Sequence, residues 1–96
     1  PIRVAPEYSR SYVNRGAVYF ENKEWALAAV DFRSFIQKEK VLDTTYITVV
    51  FNLGICSHEL GEYSEALKYW EVLRQLNFKP QLVEQLRARS ERMRKK

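Results

Sequence analysis

The side chains able to do chemistry are few, and their spacing restricts them further. The chain holds one cysteine, Cys56, and one histidine, His58. Two residues apart on a helix, they point to nearly opposite sides and form neither a thiol–imidazole dyad nor a shared metal site. A lone cysteine closes no disulfide within the chain and holds no metal unaided. There is no glycine-rich phosphate loop, no metal-ligand spacing and no Ser-His-Asp set, so most catalytic constellations cannot be assembled. The expectation is a protein that is not an enzyme and takes no cofactor. Cys56 reads as a buried, inert thiol and His58 as a hydrogen-bonding side chain.

Charge is the other chemical resource. Residues 87–96 carry Arg87, Arg89, Arg92, Arg94, Lys95 and Lys96 against Glu91 alone, while the rest of the chain holds ten cations and eleven anions. The excess of positive charge therefore belongs to the tail. Such a tail suits phosphate contacts, an acidic membrane surface or an acidic protein. It has no aromatic residue on which a base could stack, and a solvated helix end accounts for it equally well.

Positioning these groups falls to helices. From Glu7, the residues Tyr8, Tyr12, Val13, Gly16, Tyr19 and Phe20 recur at spacings of three and four, the helical period, and Pro6 suits a first turn. Pro1–Ala5 reads as a loose arm. A polar break follows at Glu21-Asn22-Lys23, where Asn22 tolerates the left-handed conformation that often ends a helix. A second helix runs from about Glu24 to Lys40, and the two make an antiparallel hairpin. The stretch from Thr44 to Phe51 is rich in β-branched residues, but no partner strand exists elsewhere. Asp43 or Thr44 is a good N-cap, and before Gly54 the stretch stands where the first helix stands before Gly16, so a helix to about Leu60 is expected. Gly61 ends that helix, Tyr63–Leu76 form the next, and Pro80 opens a fifth with a narrow apolar stripe at Leu82, Val83, Leu86 and Met93. Glu62 and Glu65 near the start of the fourth helix suit its dipole. The longest apolar run, Trp25–Val30, is far short of the ~20 residues that cross a membrane. No signal peptide is visible, and the single cysteine is compatible with a reducing compartment and also with a bacterial periplasm, so the compartment stays open, with a soluble, cytoplasmic protein the expectation.

The helices repeat. Gly16, Trp25, Ala28 and Phe32 match Gly54, Tyr63, Ala66 and Trp70, every pair separated by the same step along the chain. This pattern, with Tyr12 four residues before Gly16 and Val50 four before Gly54, resembles the tetratricopeptide repeat. Phe51-Asn52-Leu53-Gly54 through Gly61-Glu62-Tyr63-Ser64-Glu65-Ala66-Leu67 lies close to its consensus. The family period is about 34 residues, and the step from Gly16 to Gly54 is four longer. The extra residues fall between Phe35 and Ile47; Arg15 replaces the usual Leu and Ser57 the usual aromatic.

The resemblance implies an all-α, right-handed α-solenoid of about five helices in one domain, residues 1–96. The first repeat would span residues 9–42 and the second would span residues 47–80, with a capping helix at 80–96. Glycine and alanine would let backbones approach while Phe32, Trp70, Trp25 and Tyr63 fill the core. The implied function is a scaffold or adaptor that binds a peptide or partner helix in a concave groove. Its groove residues would be Arg10, Val13, Asn14, Ala17, Phe20 and Glu21, then Thr48, Phe51, Asn52, Ile55, His58 and Glu59. Phe20 and Phe51 would be anchors, and Asn14, Asn52, Arg10 and His58 polar selectors. A pair of repeats makes a shallow groove, which leaves two alternatives. One is self-association or continuation into a longer array; the other is an adaptor to nucleic acid or acidic membrane through the basic tail.

Overall fold

A computed structural model describes residues 5–96, with side chains from Ser9 onward. The reading of Pro1–Val4 as an arm lies outside the described residues, and Ala5 is already helical. The fold is all-α. Its five helices are α1 (Ala5–Glu21), α2 (Trp25–Lys38), α3 (Thr44–Glu59), α4 (Tyr63–Gln75) and α5 (Pro80–Arg94), with no strand among the described residues. The β-branched start of α3 is helical because Asp43 caps it, its side chain accepting from the Tyr46 N–H at 2.9 Å. A cap of this kind contributes ~1 kcal/mol, which offsets a few tenths for each β-branched residue.

Three helix ends close in the same way. Glu24 N–H donates to Tyr19 O, Glu62 N–H to Ser57 O and Phe78 N–H to Leu73 O. In each the preceding residue is left-handed: Lys23 (φ 61), Gly61 (φ 80) and Asn77 (φ 56). This is the reciprocal C-terminal motif that satisfies orphan carbonyls. Lys23 holds the position of Gly61 in the other hairpin. The end of α2 is different, since Glu39 leaves it in an extended conformation (φ −105, ψ 133).

The step from Gly16 to Gly54 reappears in the packing. These glycines are where α1 meets α2 and α3 meets α4. A Cβ on Gly16 would lie 2.7 Å from Cε1 of Phe32, and one on Gly54 would lie 2.8 Å from Cη2 and Cζ3 of Trp70. Ala28, Ala29, Phe32 and Phe35 of α2 form one buried cluster with Val49, Leu53 and Cys56 of α3. Val50, Ala66, Trp70, Leu73 and Val83 form the second, joining α3, α4 and α5. Trp25 and Tyr63, expected in the core, are half-buried instead. Each is a lid on a neighbour: Trp25 sits edge-on to Phe20 and Tyr63 edge-on to His58, with centroids 5.3 and 5.1 Å apart. Helices pack chiefly on their sequence neighbours, which gives an elongated body of 49 × 27 × 18 Å.

Arg15 is explained by Asp31. The guanidinium makes a bidentate pair with that carboxylate, both hydrogen bonds 2.8 Å, although Asp31 is only 1% exposed. The equivalent positions of the second hairpin hold Leu53, buried, and Tyr69, half-buried, both in the cluster shared with α2. On α1, by contrast, Ser11, Arg15 and Val18 face solvent. The outer face of α1 is therefore polar where its counterpart on α3 is apolar.

Two stability tests follow from these contacts. Gly54→Ala gains ~1 kcal/mol of helix propensity but drives a methyl into a ring that has no room to retreat, at a cost of ~1–3 kcal/mol. Thermal unfolding should therefore show a net loss, at roughly 4–8 °C per kcal/mol for a chain of this size. Arg15→Leu should lower the melting temperature by leaving Asp31 buried and unpaired, and adding Asp31→Leu should restore it. A double variant no more stable than Arg15→Leu would contradict this account.

Candidate partner-binding face

The residues expected on the groove separate into two groups. Arg10, Asn14, Glu21, Thr48 and Glu59 are exposed, whereas Val13, Ala17, Phe20, Phe51, Asn52, Ile55 and His58 are half-buried. Neither Asn14 nor Asn52 has a side-chain hydrogen bond to another residue among the described residues. Their amides are available to a ligand. Phe20 and Phe51 are already engaged: Phe20 packs on Trp25 and Phe32, and Phe51 lies edge-on to both Trp70 (5.9 Å) and Phe78 (5.8 Å). They support the face more than they present an anchor.

Part of the α1 set converges on a cleft of about 360 Å³. Ser9, Arg10, Val13 and Asn14 line one side; Phe35, Glu39, Val41, Asp43 and Thr45 line the other. Ser9 is buried beneath it, its hydroxyl donating to Glu39 Oε2 at 2.8 Å. The α2–α3 residues of this cleft do not belong to the groove set that the repeat implies. Their one signal in the sequence is the excess of four residues between Phe35 and Ile47, the stretch that supplies this wall.

His58 is tied inward. Trp70 Nε1–H donates to Ser90 Oγ at 2.9 Å, and His58 Nδ1 lies 2.8 Å from the same oxygen. Trp70 and Ser90 are fully buried. The indole can only donate, so Ser90 Oγ accepts from Trp70 and meets the imidazole nitrogen with its second lone pair or its own O–H, according to the tautomer of His58. Burial pushes the His58 pKa below its ordinary 6.5, Arg89 adds to the depression, and Glu59 opposes it. His58 thus joins α3 to α5. Pattern reading misses Ser90 because an isolated serine in a helix carries no signal.

Cys56 is fully buried, and burial pushes its thiol up to about 12, as an unreactive side chain requires. The basic tail is partly neutralised: Arg87 pairs with Glu84, and Arg94 and Lys95 pair with Glu91. Arg89, Arg92 and Lys96 are exposed and make no ion pair among the described residues. No group of three or more metal-ligating side chains occurs among the described residues. No helix among them is long and apolar enough to cross a membrane. Comparison with protein-family models, with curated proteins and with solved structures finds no match to this chain.

The His58 contact sets a pH dependence. With the folded pKa below the unfolded one, the unfolded chain binds more protons in between, so stability is full above 6.5 and falls as pH drops through the depressed value. Denaturant midpoints measured down a series of buffers from neutral to mildly acidic should decline, and His58→Gln should remove most of that slope. An unchanged slope would place the dependence elsewhere.

Proposed function

We propose that this chain is a protein–protein interaction module, a right-handed tetratricopeptide-type solenoid that binds an extended segment or helix of a partner along α1 and α3. One observation carries the reading. The glycine–aromatic contact and the left-handed turn recur at one constant step, so α1 and α3 offer corresponding residues, Asn14 with Asn52 and Glu21 with Glu59. Among the described residues the two amides have no side-chain partner, and amides of this kind read the backbone or polar groups of a bound chain. The partner is a protein; neither catalysis nor a cofactor enters the proposal.

A second reading rests on the tail. Arg89, Arg92 and Lys96 are exposed and free of ion pairs among the described residues, which suits nucleic acid or an anionic membrane surface. Self-association by stacking has less support at the α1 end, where Ser11 and Arg15 stand in place of apolar residues. A further copy docked there would have to bury the outward side of the Arg15 guanidinium.

The readings separate by substitution. Asn14→Arg with Asn52→Arg should abolish partner capture from the source cell while the circular dichroism spectrum is unchanged; capture that persists moves the ligand off this face. Phe51 is unsuited to this test because it holds Trp70 and Phe78. Removing the tail is also unsuited, since losing Ser90 would leave Trp70 unpaired. Charge reversal at Arg89, Arg92 and Lys96 serves instead. If these changes leave binding to nucleic acid and anionic vesicles as it was, the tail reading falls.

A further inference from the structure

The cations of α5 are sorted by face. Glu84, Arg87, Glu91 and Arg94 recur at steps of three and four along one flank, where each arginine pairs with the glutamate a turn before it. That flank looks toward α4, since Arg74 with Glu84 and Glu71 with Arg87 interact electrostatically across the two helices. Arg89, Arg92 and Lys96 leave the helix on the other side, exposed and without an ion pair among the described residues. Arg89 adjoins Ser90, which bonds His58 of α3, and it interacts electrostatically with His58 itself. The unpaired flank therefore borders α3 and the candidate partner-binding face. Lys79, likewise exposed and without an ion pair among the described residues, stands at its beginning. Its Nζ is 5.7 Å from the centroid of Phe78, whose ring is edge-on to Phe51. Apolar side chains lie between these cations: Leu82 is 40% exposed, and Leu86 and Met93 are half-buried. Glu59, the single acid of α3, pairs with none of them. One helix thus neutralises its arginines on the side toward α4 and leaves them unmatched on the side toward the groove.

We infer that the partner segment is acidic and lies along this flank of α5, its carboxylates meeting Lys79, Arg89, Arg92 and Lys96 and an apolar side chain covering Leu82 and Leu86. The inference rests on the groove reading, extends that face from α3 onto α5 and names the chemistry of the occupant. Guanidinium groups hold carboxylates through two parallel hydrogen bonds, and Arg89 and Arg92 have theirs unused among the described residues. At ~1.5 Å of rise per residue, Arg89 and Lys96 stand ~10 Å apart along the helix, with Lys79 ~15 Å before Arg89. An extended chain crosses these intervals in about three and five residues, so acids at that spacing with apolar residues between them match the flank. Nucleic acid matches it less well. Leu82, Leu86 and Met93 offer a phosphate nothing, and α5 has no aromatic residue on which a base could stack.

The probe is an acetylated and amidated dodecapeptide repeating Glu-Glu-Leu, beside one version with glutamine for glutamate and one with serine for leucine. Each is titrated into the isotope-labelled full chain at about 0.15 M salt, where charges more than ~8 Å away are largely screened, and followed by amide shifts. Movement is expected at Asn52, His58, Arg89 and Arg92 with the Glu-Glu-Leu peptide, and either replacement should diminish it. Arg89→Glu with Arg92→Glu should weaken binding about tenfold, the loss of two rim charge pairs. Arg87→Glu with Arg94→Glu makes the same change in net charge on the flank toward α4 and should leave binding nearly as it was. Leu82→Ser should weaken it. Equal losses from the two double reversals would reduce the effect to net charge and overturn the proposal, as would shifts indifferent to both replacements. Tighter binding of oligodeoxythymidine or of phosphatidylserine vesicles, lost with Arg89 and Arg92, would overturn it in favour of nucleic acid or membrane. The groove reading is judged separately. If Asn14→Arg with Asn52→Arg abolishes partner capture while Arg89→Glu with Arg92→Glu leaves it intact, the groove stands and its acidic occupant does not.

Discussion

The fold depends on two places where a backbone carries no side chain and an aromatic ring occupies the space. At Gly16 and Gly54 the rings of Phe32 and Trp70 lie nearer than any Cβ would allow. That approach draws the two helices of each hairpin together, with Ala28 and Ala66 buried on the second helix of each. Because the ring enters between the helices, its far side remains for the next hairpin or helix to cover. Trp70 shows this directly: one edge fills the place of a missing Cβ on α3, and its indole N–H reaches Ser90 on α5. One side chain therefore sets a helix crossing and a helix docking. The same economy explains why so short a chain can hold five helices with only two modest buried clusters.

Much of this is legible in the sequence, because it rests on residue types that admit few alternatives. Glycine at 16 and 54, alanine at 28 and 66 and aromatics at 32 and 70 specify the hairpins. Gly61 marks a left-handed turn. The equivalent turn falls on Lys23, one residue beyond the Asn22 that residue type favours, since lysine gives no sign of tolerating positive φ. The β-branched opening of α3 reads as helix only through its alignment and its Asp43 cap. Trp25 and Tyr63 are half-buried because they close the outside of a hairpin rather than its centre.

The candidate face is less legible, and for a physical reason. Position within a helix gives the direction a side chain leaves the backbone but not what meets it. Helical position puts His58 on a groove edge, yet Ser90 holds it; it makes Phe51 an anchor, yet that ring already carries two others. Both outcomes depend on residues far along the chain. The Arg15–Asp31 pair is of the same kind: each residue alone looks like ordinary surface charge, and only the packing shows a carboxylate sealed beneath a guanidinium. The cleft at α1 is signalled solely by a count, four residues too many, which gives the place of an irregularity without its shape.

The unusual exit from α2 also bears on mechanics. Three helix ends are closed by paired backbone hydrogen bonds across a left-handed residue, whereas Lys40, Val41 and Leu42 donate no backbone hydrogen bond of the connection's own. Bending resistance along the body is thus uneven. The junction between α4 and α5 is clamped by the Phe78 ring and the Ser90 bonds, while the junction between the two hairpins relies on side-chain packing, on Ser9 with Glu39 and on the Asp43 cap. Residues 39–43 hold one internal backbone hydrogen bond, Asp43 N–H to Val41 O, so the packing of α2 on α3 fixes how the hairpins stand to each other. The spacing between Asn14 and Asn52 is therefore set by the cluster of Phe32, Phe35, Val49 and Leu53 and not by the connecting backbone.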